Sequence, residues 1–294
     1  MKEETQHALE PGFIIVGSAK SGTTSLHALL GQHPGIHAST PKETNFFSYD
    51  EVHARGWQWY ESCFAGLKDG QVAGEGSPTY SDRTSYPRTA ERMAAALPNA
   101  KLIYIVRDPV ERLASHWRML TRDDADTPSF KKALKSGKLR PFLAERSSYW
   151  FQISAFRDRY PDSQILVVFF EDFKQDPCRE LNRCAAFVGV EAFAEISNPK
   201  RAYNSGEEMT GGRSEKQALQ AIRKLPLVDA AKKLIPEPLK EMLWNLPLFT
   251  RKQETDVPWT PELKKQVADE LREDAAQFLK FYGKPADYWK MDGP

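Results

Sequence analysis

Runs of apolar residues predict the buried strands of this chain. Three such runs, at residues 13–16, 101–106 and 165–170, are nearly continuous and rich in β-branched or aromatic side chains. A strand covered on both faces has this composition, whereas a strand with one solvated face alternates polar and apolar residues. A further strand is expected directly before Glu75. The pattern therefore indicates a sheet that is buried on both sides.

Apolar residues at helical spacing lie between these runs. Leu26, Leu29 and Leu30 follow the first strand at the i, i+3, i+4 spacing of a helix face. Further helices are predicted at 86–97, 110–120, 147–160, 177–188 and 261–282. The helix at 177–188 begins after an Asp-Pro pair and ends at Gly189, which suits a helix end. Strands alternating with helices predict an α/β fold in which helices flank a central, mostly parallel sheet.

The domain organisation follows from where this pattern changes. The length of 294 residues suits a single α/β domain, which we expect to span 1–294. Within it, residues 205–257 contain four prolines that interrupt short basic helices. We expect this segment to be a helical cap or flap inserted into the domain. Ligands of open α/β sheets bind beyond the carboxyl ends of the strands, so the segments after residues 16 and 106 are candidates.

The charge balance excludes one class of partner. The chain has 41 Lys and Arg against 40 Asp and Glu, a formal net charge of +1. Proteins that bind nucleic acid draw their affinity from a surplus of basic residues. We therefore expect no nucleic-acid partner, although a local basic cluster can still bind a small anion.

Three features bear on the cellular compartment. No stretch approaches the roughly 20 consecutive apolar residues of a membrane span, so no integral membrane contact is expected. The first ten residues are polar and carry three Glu, unlike a secretory signal. Cys63, Cys178 and Cys184 form no CxxC pair, which favours a reducing compartment and no zinc site. These features predict a cytoplasmic protein, and nothing in the sequence indicates its oligomeric state.

A loop typical of phosphate binding joins the first strand to the first helix. Glycines and small residues in the segment 17–25 let successive backbone N–H groups turn toward an anion, and the helix adds the positive end of its dipole. A lysine supplies a mobile charge and three consecutive hydroxyls add donors. The candidate binding residues are Lys20, Ser21, Gly22, Thr23, Thr24 and Ser25.

The position of the lysine distinguishes this loop from that of ATPases. A Walker A loop has Lys directly after its second glycine and then a hydroxyl that holds magnesium. Here Thr23 follows Gly22, and Lys20 precedes it by two residues. The lysine therefore reaches the phosphate from the other limb of the loop.

A second cluster that suits a phosphate follows the strand at 101–106. Arg107 comes directly after the strand, and Ser115 lies two turns into the next predicted helix. A guanidinium can bind a phosphate bidentately, and the hydroxyl can bond the same group. The alternative is a weak surface ion pair of Arg107 with Asp108 or Glu111. Together with the first loop, the cluster favours a ligand with two phosphate groups.

These motifs resemble one family. IIVGSAKSGTTSL and KLIYIVRDPVERLASHW are similar to the donor-binding motifs of sulfotransferases that use 3′-phosphoadenosine 5′-phosphosulfate (PAPS), in particular the heparan-sulfate-type branch and its bacterial relatives. The similarity covers residues 12 to about 190 and, weakly, 250 to the C-terminus. It implies a P-loop-like nucleotide-binding fold, PAPS as co-substrate, 3′-phosphoadenosine 5′-phosphate (PAP) as product, and no metal.

The resemblance also implies roles for individual residues. Glu43, in the segment TPKETNFF, occupies the position of the general base that takes the proton of the acceptor hydroxyl. Lys20 would stabilise the leaving 5′-phosphate, and Lys42 could position donor or acceptor. Arg107 and Ser115 would bind the 3′-phosphate. Arg251 and Lys252 stand where the family has a basic loop over the donor.

One departure from the family concerns the acceptor. The heparan-type enzymes carry a Lys where this chain has Gly76, which puts a glycosaminoglycan acceptor in doubt. Glu75 and Ser77, beside it, are expected to line the cleft. Trp57 could stack on a sugar or another flat acceptor, with core packing as the alternative. The acceptor is expected to be a carbohydrate or small-molecule natural product with a hydroxyl group.

Three other functions remain open on the sequence. The first is a P-loop nucleotide kinase-like phosphotransferase, and the second is a non-catalytic nucleotide-binding protein of the same fold. The third, a glycosyltransferase, depends on Asp124 and Asp126, which form a DxD pattern in a polar loop. The histidines show no metal-ligand spacing, and we expect no metal site.

Overall fold

One sheet of five parallel strands forms the centre of the protein. The computed structural model describes residues 9–124, 126–197 and 257–291. The strand order is β2-β3-β1-β4-β5, and every neighbouring pair is parallel. The strands are β1 (Phe13–Gly17), β2 (Ile36–Ala38), β3 (Val72–Gly76), β4 (Lys101–Val106) and β5 (Ile165–Phe169). The prediction of an α/β fold with a mostly parallel sheet is confirmed.

Helices connect the strands and cover both faces of the sheet. The first eight are α1 (Thr23–Leu30), α2 (Asp50–His53), α3 (Trp57–Ser62), α4 (Thr89–Ala96), α5 (Pro109–Asp123), α6 (Phe130–Lys135), α7 (Leu139–Glu145) and α8 (Tyr149–Arg157). The others are α9 (Phe170–Gln175), α10 (Pro177–Val188) and α11 (Pro261–Phe281). Short 3₁₀ turns occupy Pro78–Ser81 and Asp162–Gln164.

Successive residues of the central strands face two separate cores. In β1, Ile14 and Val16 join a cluster with α4, α8 and α11, whereas Phe13 and Ile15 join one with α1, α9 and α10. The same alternation holds in β4, where Tyr104 faces the first cluster. Because side chains alternate across a strand, a sheet covered on both faces needs apolar residues at every position. This need explains the continuous apolar runs of the sequence.

A third core joins α5, α6, α7 and α11 beside the sheet. Trp117 of α5 is fully buried there against Phe130 of α6, with ring centroids 5.1 Å apart. Val267 and Leu271 of α11 pack in the same cluster. The cluster holds one face of α5, the helix that follows the carboxyl end of β4.

The predicted ends of two helices are confirmed. In α10, the Asp176 side chain accepts a hydrogen bond from the backbone N–H of Arg179, and Gly189 closes the helix with φ of 89°. That left-handed conformation favours glycine. The last helix spans Pro261–Phe281, as its apolar periodicity predicted. The three-residue edge strand β2 was not predicted, because it is too short to show a period.

Some predictions lie outside the described residues. Arg251, Lys252 and all but the last residue of the segment 205–257 belong to this group, and the single-domain prediction stays a prediction. Within the described ranges, no helix is both long and apolar enough to span a bilayer. The cytoplasmic location also stays a prediction.

Candidate active site

A cavity of about 450 Å³ opens beyond the carboxyl ends of β1 and β4. The loop after β1 lines one side of it, and Arg107 with α5 lines another. Glu43 and the 3₁₀ turn after β3 complete the wall. Parallel strands end at one edge of the sheet, so loops far apart in sequence meet there. The cavity lies where the sequence predicted a ligand.

The phosphate loop is held by contacts within its own backbone and to the sheet. Ser18 N–H donates to the carbonyl of Ile105 in β4 at 2.7 Å, and the Ser18 and Ser21 hydroxyls lie 3.0 Å apart. Lys20 has a left-handed φ of 71° at the tip of the loop and lines the cavity. Ser21 is fully buried and does not line the cavity, in contrast to the other predicted residues of the loop.

Gly22 and the start of α1 form the floor of the loop. Gly22 has φ of 97°, and a Cβ there would lie 2.8 Å from the ring of Phe170, so no other residue fits without strain. Thr23, Thr24 and Ser25 form the first turn of α1 and line the cavity. The N–H groups at the start of a helix carry the positive end of its dipole. This arrangement suits an anion.

Arg107 and Ser115 meet the phosphate loop from the other side of the cavity. Arg107 donates to the Lys20 carbonyl at 3.5 Å, and its guanidinium lies 5.4 Å from the Phe170 ring centroid. Its ion pair with Glu111 is long, at 3.9 Å. The buried Nε of Arg107 has no hydrogen-bond partner among the described residues. Arg107 is therefore positioned in the cavity with bonding capacity left for a ligand.

Glu43 reaches the cavity from the loop after β2. Its carboxylate forms an ion pair with Lys42 at 2.7 Å, and its side chain is 46% exposed. Lys42 does not line the cavity, so its contact with the ligand site is made through Glu43. Glu43 and Lys20 line the same space, as the sequence predicted.

Two predictions about the acceptor side need correction, because Glu75 and Ser77 do not line the cavity. Both are fully buried, and Ser77 Oγ donates to Glu75 at 2.7 Å. Glu75 also accepts hydrogen bonds from three other hydroxyls, those of Thr44, Tyr60 and Tyr80. The side chain points into the core beneath the loop that carries Glu43. It supports that loop instead of contacting a ligand.

The third correction concerns Trp57. Its indole N–H donates to Glu61 at 3.1 Å, and its ring packs edge-on against Tyr60 at 5.1 Å. It does not line the cavity. The sequence alternative of core packing therefore describes Trp57, since its apolar surface is covered by neighbouring aromatic rings.

Several residues of the cavity were missed by sequence reasoning. On α5, Arg112, His116 and Met119 line it together with Ser115, at the spacing of one helix face. Arg146 lines it from the residue after α7 and forms an ion pair with Asp82. The helical spacing from Ser115 was the available signal for the α5 residues. Arg146 and Asp82 carry no sequence signal, because only the tertiary fold brings them together.

The cavity is rich in positive charge. Burial lowers the pKa of Lys20, and the nearby cations Arg122, Arg107 and Arg112 lower it further. Burial and the same kind of neighbours lower the pKa of His116 to about 2, so its imidazole is neutral. A concentration of buried guanidinium and ammonium groups is stable only when anions complete it. The residues present therefore fit a ligand with several phosphate or sulfate groups.

The family model for the sulfotransferase domain matches residues 10–228, about three quarters of the chain. The chain belongs to the sulfotransferase family. The resemblance inferred from the two donor motifs is thereby confirmed, and so is the assignment to this class of enzymes. Family membership also disfavours the kinase-like and glycosyltransferase alternatives.

Sequence relatives of this sulfotransferase include heparan sulfate enzymes. The chain is 27% identical over 261 residues to the bifunctional heparan sulfate N-deacetylase/N-sulfotransferase 2 of Bos taurus, covering 79% of this chain and 28% of that protein. It is 31% identical over 191 residues to heparan sulfate glucosamine 3-O-sulfotransferase 6 of Homo sapiens, covering 61% and 52%. The matched regions thus span at most about half the length of these relatives.

Solved structures share the fold. The sulfotransferase from Alicyclobacillus acidocaldarius superposes with a TM-score of 0.67 at 24% identity, covering 96% of this chain and 99% of that one. The sulfotransferase domain from the curacin biosynthetic pathway gives a TM-score of 0.50 at 19% identity, covering 89% and 98%. In the part of the chain that is described, no group of three or more His, Cys, Asp or Glu is placed to hold a metal ion.

Proposed function

We propose that this sulfotransferase transfers the sulfuryl group of PAPS to a hydroxyl group of an acceptor. The observation that carries the proposal is the convergence of Lys20, Arg107, Ser115 and Glu43 on one cavity. Three of these residues suit phosphate groups, and the fourth is a carboxylate able to take a proton. They come from the ends of β1 and β4, from α5 and from the loop after β2.

Two regions of the cavity would hold the two ends of the donor. Lys20 and the first turn of α1 suit the 5′-phosphosulfate, because a helix N-terminus with hydroxyl side chains and a lysine line the cavity there. Arg107 and Ser115 suit the 3′-phosphate, since both line the same cavity and the Arg107 Nε has no hydrogen-bond partner among the described residues. A nucleotide without the 3′-phosphate would leave Arg107 unpaired.

The donor supplies an activated sulfuryl group, and the chain supplies a base and a cation. The acceptor oxygen forms a bond to sulfur while the bond between sulfur and the 5′-phosphate oxygen breaks, and the acceptor proton passes to Glu43. The ion pair with Lys42 at 2.7 Å holds the Glu43 carboxylate in place. In-line transfer needs the base on the side of the sulfur opposite the leaving oxygen.

Lys20 would stabilise the charge that develops on the leaving phosphate. Its ammonium is largely buried, and its pKa is lowered by desolvation and neighbouring cations. A charge removed from water interacts more strongly with an anion than an exposed one does. PAP then leaves and carries the negative charge that Lys20 neutralised during the transfer. The proposal includes that this step requires no metal ion.

The acceptor we propose is a hydroxyl-bearing glycan or small-molecule natural product. Thr79, Asp82 and Tyr86 line the same cavity as Glu43 and offer polar contacts to such a molecule. The cytoplasmic location and the absence of a nucleic-acid partner, both inferred from composition, belong to the same proposal.

A binding test separates sulfuryl transfer from ATP chemistry. PAP is expected to raise the melting temperature of the protein far more than ATP with magnesium does. Equal or reversed shifts would contradict the donor assignment. With PAP binding established, labelled sulfate from PAPS should pass into an acceptor of the source cell extract, whereas Glu43→Gln should bind PAP and transfer sulfate at a much lower rate.

A further inference from the structure

Arg112 is a buried arginine whose hydrogen bonds are incomplete. It lies on α5, has no exposed surface, and lines the cavity. Its Nε donates to Ser147 Oγ at 2.8 Å, and its Nη2 donates to the Leu143 carbonyl at 2.9 Å. Its Nη1 is buried without a hydrogen-bond partner among the described residues. Two sides of the guanidinium are therefore fixed by the protein, and the third is available.

The charge of Arg112 is also uncompensated. Burial lowers its pKa to about 10, so it stays protonated at neutral pH. Asp82, whose negative charge raises the pKa of Arg112, already forms an ion pair with Arg146. His116 Nδ1 lies 3.3 Å from Nη2, but this imidazole is neutral. A buried guanidinium without an anion is destabilising, so a bound anion is the natural complement.

The position of Arg112 relates it to the donor-binding residues. Ser115 follows it by three residues, so the two side chains lie one turn apart on the same face of α5. Lys20 lines the same cavity, and the charge of Arg112 is one of the causes that lower the Lys20 pKa. Arg112 thus shares the cavity with the residues proposed to bind the donor.

A purely structural role explains these contacts less well. Ser147 Oγ also donates to the Leu143 carbonyl at 3.3 Å, so both partners of Arg112 would keep a hydrogen bond without it. An arginine retained only for packing would be replaced at little cost by an apolar side chain of similar volume. What an apolar residue cannot provide is an unpaired Nη1 donor on a residue that lines the cavity.

We propose that Arg112 binds a tetrahedral oxyanion of the donor nucleotide through Nη1, as a further contact beside Lys20, Arg107 and Ser115. The oxyanion is either a phosphate or the sulfuryl group, which offer the same geometry to a guanidinium. The proposal rests on the function proposed above. It assigns to Arg112 a direct role in binding the ligand, with Ser147 and the Leu143 carbonyl holding the guanidinium in place.

The test compares Arg112→Met with the wild type by calorimetric titration of PAP and PAPS. If the wild type binds neither PAP nor PAPS, the proposed function is contradicted together with this inference. If the wild type binds, Arg112→Met should raise the dissociation constant roughly 10-fold or more. A loss for both ligands identifies a phosphate, and a loss for PAPS alone identifies the sulfuryl group. Unchanged binding of both would overturn the proposal.

Two controls separate binding from folding. Arg118→Met changes an exposed arginine on the same helix and should bind both ligands as the wild type does. Without ligand, Arg112→Met should melt at or above the wild-type temperature, because an unpaired buried charge has been removed. A large drop would indicate a structural role. If Arg112→Met does not fold, Arg112→Lys decides, since wild-type affinity for both ligands in that variant would contradict a bound oxyanion at Nη1.

Discussion

Thr44 Oγ1 donates a hydrogen bond of 2.8 Å to Glu75 Oε2 in the core beneath the active-site cavity. Thr44 is the neighbour of Glu43 in the chain, and Glu75 is the penultimate residue of β3. Ser77 adds a second link, because its Oγ donates to Glu75 and accepts from the backbone N–H of Asn45 at 3.0 Å. The two residues that follow Glu43, the proposed base, are thus linked to one buried carboxylate.

The first prediction is that Glu75→Gln impairs transfer although Glu75 does not line the cavity. Glu75 accepts from four hydroxyls, and a glutamine amide can accept at only one of its two terminal atoms. Stability should fall by roughly 1–3 kcal/mol, and kcat should fall while the affinity for PAP is kept. Urea unfolding and PAP titration measure the two effects.

Thr44→Val is the matched variant for this prediction. It keeps the volume of the side chain and removes one of the four donors to Glu75, so its effect on kcat should have the same direction and a smaller size. Glu91→Gln, an exposed change on α4, should alter neither quantity. Equal PAP affinity with unchanged kcat in Glu75→Gln would show that the loop does not need this support.

The second prediction concerns Glu43 itself. Glu43→Gln keeps the shape of the side chain but cannot take a proton, so the rate of transfer should fall by roughly 100-fold or more. Its PAP affinity should match that of the wild type, because the proposed base does not hold the donor. Lys42→Met should give an intermediate rate, since it removes the ion pair that holds Glu43. Transfer that survives Glu43→Gln intact would remove Glu43 from the mechanism.

The sequence predicted the parts of the site that are contiguous in the chain. The phosphate loop and the Arg107–Ser115 spacing each lie within one strand-loop-helix unit, so local pattern is enough to find them. Arg112 was missed because a charged residue in an amphipathic helix normally faces solvent. It is buried here because α7 and the residues that follow it cover this face of α5, a contact that the local sequence does not encode.

The misplacement of Glu75 has a different physical cause. A strand directs successive side chains to opposite faces, so a residue at a strand end can point into the core or toward the ligand edge. The sequence around Glu75 does not distinguish these directions. The aromatic hydroxyls of Tyr60 and Tyr80 that satisfy its carboxylate are 15 and 5 residues away and reach it only in the folded chain.

The third prediction is that Arg107→Ala removes the preference for a 3′-phosphate. The wild type should bind PAP more tightly than AMP, which lacks that phosphate, because Arg107 lines the cavity and its Nε has no hydrogen-bond partner among the described residues. In Arg107→Ala the two affinities should converge, with PAP losing roughly 10-fold or more and AMP little. Ser115→Ala should act in the same direction and more weakly. A variant that weakens PAP and AMP by the same factor would place Arg107 elsewhere on the nucleotide.

The fourth prediction is that Lys20→Ala lowers the rate of transfer more than it lowers donor affinity. Lys20 is proposed to neutralise charge that develops on the leaving phosphate, so its contribution is larger in the transition state than in the bound state. We expect kcat to fall roughly 100-fold or more, as for loss of one oxyanion donor. Lys20→Arg keeps a charge but changes its reach, and should recover only part of kcat. Equal losses in PAPS affinity and in kcat/KM would assign Lys20 to binding alone.

The fifth prediction concerns Asp274, which joins α11 to α8. Its carboxylate accepts from the backbone N–H groups of Trp150 and Phe151 at 3.0 and 2.8 Å. Burial nevertheless raises its pKa to about 6 from 3.8. Because the folded protein binds this proton more tightly than the unfolded chain does, the group is least destabilising below pH 4. Stability should therefore fall as pH rises toward 6.

Asp274→Asn should remove this decline, because the amide is neutral at every pH and its oxygen can still accept a hydrogen bond. At pH 7 the variant should be more stable than the wild type by roughly 2 kcal/mol, and at pH 4 the two should be nearly equal. Asp269→Asn on the same helix is the opposite control. Hydrogen bonds from Lys265 and Arg272 lower the Asp269 pKa from 3.8, so Asp269→Asn should lower stability at pH 7 and also at pH 4, because both lie above that lowered pKa. Urea unfolding of the three proteins at pH 4 and pH 7 gives six values. An Asp274→Asn effect that is the same at both pH values would assign its cause to packing instead of to titration.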